Sequence, residues 1–138
     1  MDGRGISSPA DILAPAKGAP RTTAEDLARQ TRVVERTRLP VDAFDLTNTP
    51  MVILNEDRQI VHANASFLAI SGYDSVEHVR GKRPGEAIDC VHASLFEAPG
   101  GCGTGHACST CGTLTALLKS HVHGKADNAA DYALTYGR

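Results

Sequence analysis

Tryptophan is absent from this chain, and phenylalanine and tyrosine occur only three times each in 138 residues. A core without large aromatic rings has to be assembled from Leu, Ile, Val and Ala. That is adequate for one domain of modest size, and it leaves room for a bound metal to contribute to stability. No apolar run approaches the roughly 18 residues that a membrane span needs. The first twenty residues hold Asp2, Arg4, Asp11 and Lys17 among their prolines, so no secretory signal core is expected there. Charge of one sign is also lacking. A formal net charge of −2 gives no reason to expect nucleic acid or an anionic membrane as a partner. Neither a Ser/His/Asp order, nor paired catalytic carboxylates, nor a phosphate-cradling glycine loop stands out, and catalysis is not expected.

Against this background the four cysteines, Cys90, Cys102, Cys108 and Cys111, are concentrated in one stretch, with none elsewhere. Their spacing is C-x11-C-x5-C-x2-C, and the last three lie in a loop, residues 100–112, rich in glycine. Three readings are open. Disulfides would need an oxidising compartment, whereas the expected setting is a reducing cytoplasm. Zinc is commonly held by two C-x2-C knuckles, and only Cys108–Cys111 makes one here. An iron–sulfur cluster suits the tight C-x5-C-x2-C run, one residue longer than the plant-type ferredoxin spacing. All four cysteines are candidate metal ligands. Gly101, Gly103 and Gly105 are candidates for folding the backbone around the bound group and aiming N–H groups at sulfur. His92 and His106 stand close enough in sequence to join such a site. His121 and His123 alternate as strand residues would, without a third ligand nearby. The C-x2-C dithiol is not preceded by the strand of a thioredoxin-like unit.

The string Cys102-Gly-Thr-Gly-His-Ala-Cys108-Ser-Thr-Cys111 resembles the cluster loop of adrenodoxin-type 2Fe–2S ferredoxins. The likeness covers about a dozen residues. It implies a cluster-binding loop rather than a ferredoxin fold: those ferredoxins take their fourth cysteine from far downstream, whereas this chain has only Cys90, upstream.

Composition divides the rest. Residues 1–22 read as a disordered tail rich in Gly, Pro, Ala and Ser. Residues 23–49 read as an N-terminal helix and linker. The helix is expected over 23–39, with Thr22 or Thr23 as its cap and Ala24, Leu27, Ala28, Thr31 and Val34 on one face; Pro40 is expected to end it. Such a helix could pair with a second copy of itself. From Pro50 the compact part begins: strand 51–54, a turn at 55–58, and strand 59–63, joined as a hairpin. Asn64 suits the N-cap of a helix that Gly72 stops. Asp74 with Glu77 marks a further short helix, 86–89 one helical turn, 113–118 a helix, and 130–136 a strand.

That order, with Pro50-Met-Val-Ile-Leu-Asn55, Ile60-Val-His-Ala-Asn-Ala-Ser-Phe67, Ser71-Gly-Tyr73 and Gly81-Lys82, resembles a PAS domain over residues 50–138. The segment from Arg83 through Cys90 and into the glycine loop is similar to a cysteine-bearing subgroup of bacterial PAS sensors. The resemblance implies an α+β fold, an antiparallel sheet with helices on one face and a ligand pocket between them. It also implies that the last two strands are missing, leaving the edges of 51–54 and 130–136 unpaired unless another chain completes them. Functionally it implies a sensory, signal-transducing module of the cytoplasm. The metal loop, residues 90–111, would then sense redox state or oxygen through an iron–sulfur cluster, or hold a structural zinc. The partner would be an effector, a histidine-kinase-type protein or a second copy.

Overall fold

The computed structural model describes residues 20–93, 98 and 100–123, without the side chains of 38–41 and 119–123. These residues fall into two compact units, 20–89 and 90–123. The strand expected over 130–136 lies outside them, as does most of the N-terminal tail.

In the first unit, helix α1 spans Ala24–Arg36 and starts at Thr23, whose hydroxyl accepts from the Asp26 amide at 3.2 Å. Its inward face is Leu27, Gln30, Thr31 and Val34, of which Thr31 is buried and the others half-buried, whereas Ala24 and Ala28 face solvent. The expected face is thus rotated, because polar Gln30 is drawn inward by a hydrogen bond from the Asn55 side chain. The helix ends at Arg36 rather than at 39, on Thr37, whose backbone turns out of the helical region. A second helix, α2, Arg38–Asp45, follows in what reads as linker. Pro40 does not stop it. It is the third residue, where the backbone N–H would have no intrahelical partner anyway.

Strands β1, Val52–Leu54, and β2, Ile60–Ala63, pair antiparallel with a bulge between Ile53 and Leu54. The hairpin closes because the Asn55 side-chain oxygen accepts from the amides of Asp57 and Gln59, an Asx turn that holds Arg58 at φ 63°. On its other side Ile60 accepts from the Gly81 amide and donates to the Lys82 carbonyl, at 2.9 and 2.8 Å. Every residue of β2 is buried. That burial on both faces explains why Ile60, Val61, Val79, Phe67, Ala87 and Ile88 form the core together.

Helix α3, Ala65–Ser71, is capped by Asn64 and stopped by Gly72 at φ 77°. A 3-10 turn, Val76–His78, takes Ser75 as its cap instead of Asp74, because the Ser75 hydroxyl accepts from the Glu77 amide. Helix α4, Pro84–Ala87, sets proline at its first position and closes with the Glu86 carboxylate accepting from the Arg83 amide at 2.9 Å.

Arg83 is the largest fully buried side chain. Its guanidinium donates to the carbonyls of Asp57 and Pro20, at 3.1 Å each. Around it, Arg21 pairs with Glu86, and Thr22 bonds to Gln59 and Asp57. The segment ahead of α1 is therefore fastened to the hairpin turn and to the start of α4. Burying a guanidinium is costly unless its donors are satisfied, so these carbonyls explain its place.

In the second unit, a 3-10 turn, Val91–Ala93, follows Cys90. A 3-10 helix, His106–Thr110, then leads into helix α5, Gly112–His123. The backbone of His121 and His123 belongs to the last turn of α5, so their alternation is not that of a strand.

Candidate functional site

The cysteine loop is organised by Thr104. Its hydroxyl donates to the Gly101 carbonyl at 2.7 Å and accepts from the Gly100 amide at 3.0 Å. The Thr104 amide returns to the Gly101 carbonyl and the Gly101 amide to that of Ala98, giving consecutive tight turns. Gly101 and Gly103 supply the left-handed backbone these turns need, with φ 89° and 91°. Gly105 does not share that role. It is extended at φ −81° and precedes the 3-10 helix.

Cys108 and Cys111 stand at the two ends of one turn, the Cys111 amide donating to the Cys108 carbonyl at 3.1 Å. The Cys111 carbonyl then accepts from the Thr115 amide, so this residue opens α5. Ser109 and Thr110 turn their hydroxyls back to the carbonyls of His106 and Ala107, which keeps the turn closed. Cys108 is buried; Cys90, Cys102 and Cys111 are half-buried. No disulfide joins any of the four. His106 is exposed and His92 half-buried. Among the described residues, no three His, Cys, Asp or Glu side chains converge closely enough to hold a metal ion. The donor chemistry therefore suits a thiophilic metal, while the four sulfurs are not gathered around a common centre.

Residues 41–105 match the family model described as PAS domain. The match supports a PAS domain in this segment. No curated protein and no solved structure gives a match. The match covers a little under half of the chain, from within α2 to Gly105, and so includes the hairpin, α3, α4, Cys90 and Cys102. PAS domains are sensory and signalling modules, and the α+β arrangement of hairpin and short helices agrees with that fold. No helix among the described residues is long and apolar enough to cross a membrane.

Two features of the first unit are not evident from motifs. One is an open groove of about 460 Å³ between α1 and the hairpin, lined by Val33, Val34, Ile53, Leu54 and Val61, with Arg29 and Glu56 at its rim. The other is His62, which reads in sequence as an ordinary strand residue. It is 8 % exposed, and neither ring nitrogen has a hydrogen-bond partner within the protein. Burial pushes its imidazolium below the usual histidine value. Asp45 pulls it back up, Arg80 pushes it further down, and Glu35 opposes Arg80. The only advance signal was its position in a strand with apolar residues on both sides.

Proposed function

We propose that this chain is a PAS-type sensory module whose responsive element is the cysteine loop, with Cys90, Cys102, Cys108 and Cys111 taking up an iron–sulfur cluster. The observation that carries the reading is the turn joining Cys108 to Cys111 at the head of α5, in a loop whose thiols are all outside disulfides. Two thiol-bearing residues are thereby held at the start of one helix. Cys102 lies between Gly101 and Gly103, at a point where the backbone is set by turns rather than by regular structure. Uptake would draw the sulfurs together, coupling ligation to local folding. Such a cluster supplies one-electron exchange and sensitivity to oxygen. The chain's part is to hold the thiols, and to transmit loop order to the start of α5. The output would pass to an effector, a histidine-kinase-type partner or a second copy.

The test is anaerobic preparation of the full chain with iron and sulfide, followed by visible absorption and iron and sulfide analysis. Cluster absorption that disappears in the Cys108→Ser variant is the expected result. A colourless protein holding one equivalent of zinc, lost to chelators without any redox response, would replace this reading with a structural zinc site.

A further inference from the structure

The underside of the N-terminal helical pair rests on a buried histidine. Helix α1 packs against β2 and against α2, and His62 lies on β2, opposite Ile53 in the ladder. The Phe44 ring of α2 sits 5.7 Å from the imidazole, centroid to centroid, tilted by 41°. From α1 comes Glu35, whose carboxylate receives the Arg80 guanidinium at 2.7 Å. Arg80 also donates to the carbonyl of Val61, the neighbour of His62, at 3.3 Å, and reaches Glu77 at 3.8 Å. Asp45, at the end of α2, is the remaining charge that acts on the ring. A polar ring enclosed at 8 % exposure with both nitrogens unpartnered in the protein is an uncommon choice for a strand core. An apolar residue would fill the same place without the desolvation cost.

Metal ligation does not account for it, since His62 is in no group of three ligating side chains among the described residues. A proton is the remaining small ligand an imidazole takes near neutrality. The geometry points to His62 as a proton-operated latch: neutral, it accepts the Phe44 ring and the cover of α1 and α2; protonated, it places a second cation beside Arg80 and loosens the helical pair 24–45 from β2.

The sign follows from linkage. The folded imidazole binds its proton less readily than an exposed one, so the closed form is favoured above about pH 6.5, the ordinary histidine value. As pH falls below that value, the opened form takes up the proton first and gains population. If opening restores an ordinary imidazole, the opening equilibrium grows between pH 7.5 and 5.5 by up to about tenfold. The device is local to residues 20–89 and independent of whatever the cysteines bind.

Hydrogen exchange on the full chain, corrected for the intrinsic pH effect on exchange, reads this directly. Peptides within 24–45 are expected to lose protection, by up to about tenfold, from pH 7.5 to 5.5, with α5 unchanged. His62→Phe should abolish that loss. An identical loss in His62→Phe, or no loss in the parent chain, would overturn the proposal. Should the variant not fold, the ring-proton titration of His62 in the parent chain decides. A midpoint clearly below 6.5 supports the latch, and one at or above 6.5 removes it.

Discussion

The Asn64 side-chain amide donates to the Phe44 carbonyl at 3.0 Å, joining the N-cap of α3 to the body of α2. Its second proton goes to the Thr49 carbonyl at 2.8 Å. The side-chain oxygen accepts from the amides of Met51 and Phe67, at 2.9 and 3.0 Å. All four hydrogen-bonding positions of this fully buried amide are used. One residue therefore sets the path of the chain from α2 into β1 and starts α3.

Asn64→Ala removes a helix cap and strands several backbone groups away from water. The expected cost is about 3 kcal/mol, well beyond the usual loss of a cap alone. Asn64→Asp should recover only part of it, because a carboxylate keeps the two acceptor contacts and loses the two donors. Urea unfolding monitored by circular dichroism measures both. Equal stability of the Asp variant and the parent would show that the contacts to Phe44 and Thr49 carry no weight.

Asn64 also marks how far the sequence could be read. Its place ahead of an apolar stretch announces a cap, and Gly72 announces the stop, because both signals are local and each has one physical reading. The hairpin was legible on the same grounds, from two β-branched runs around an Asn-Glu-Asp-Arg turn. Helix α2 was not, because a proline after a helical run reads as a terminator unless it is known that the helix restarts at Arg38. Nor could sequence place Gln30 on the inward face of α1, since its partner Asn55 is distant in the chain. The cysteine loop is the mixed case. Spacing exposed the thiols, and Gly101 and Gly103 behave as loop glycines should, but convergence of the sulfurs depends on long-range packing that spacing does not encode. His62 was invisible as anything but a strand residue, because burial and partner loss are properties of the fold.

Two glycines with nearly equal backbone angles should respond differently to alanine. At Gly72, φ 77°, an alanine Cβ would meet nothing within 4 Å, so Gly72→Ala carries only the left-handed backbone penalty, about 1 kcal/mol. Gly81, at φ 80°, would set its Cβ 3.0 Å from Cδ2 of Leu27. Because Leu27 lies on the inward face of α1, Gly81→Ala must also shift the end of that side chain by a few tenths of an ångström. It is expected to cost about 2 kcal/mol and to raise hydrogen exchange in α1, which Gly72→Ala should leave alone. Equal exchange in the two variants would contradict the packing of Leu27 on Gly81.

The Arg80–Glu35 pair offers a test of what fastens α1 to the turn after Val79. Glu35 is half in water, with 52 % of its side chain exposed, whereas Arg80 keeps only 17 %. Glu35→Gln should therefore cost no more than about 1 kcal/mol, and less in high salt. Arg80→Ala is expected to cost more, since it also removes the donor to the Val61 carbonyl and the packing of its long stem. Denaturant titrations at low and high salt separate the two. A larger loss for Glu35→Gln than for Arg80→Ala would reverse this ranking of the contacts.

Thiol reactivity should distinguish the four cysteines before any metal is added. Cys108 is 6 % exposed, whereas Cys90, Cys102 and Cys111 are half-buried, so Cys108 is expected to alkylate last in the metal-free reduced chain. Its labelling has to wait for local opening of the turn that ends at Cys111, while the other three react from the folded state. Timed iodoacetamide labelling read by mass spectrometry gives the order. Adding iron and sulfide anaerobically, or zinc, should then slow all four sulfurs together if they share one centre. Protection confined to Cys108 and Cys111 would instead mean that the knuckle binds alone, leaving Cys90 and Cys102 outside the site. Cys111→Ser sharpens the distinction: with a four-thiol centre, Cys90 and Cys102 lose their protection in this variant, although Cys90 lies far upstream of the substitution.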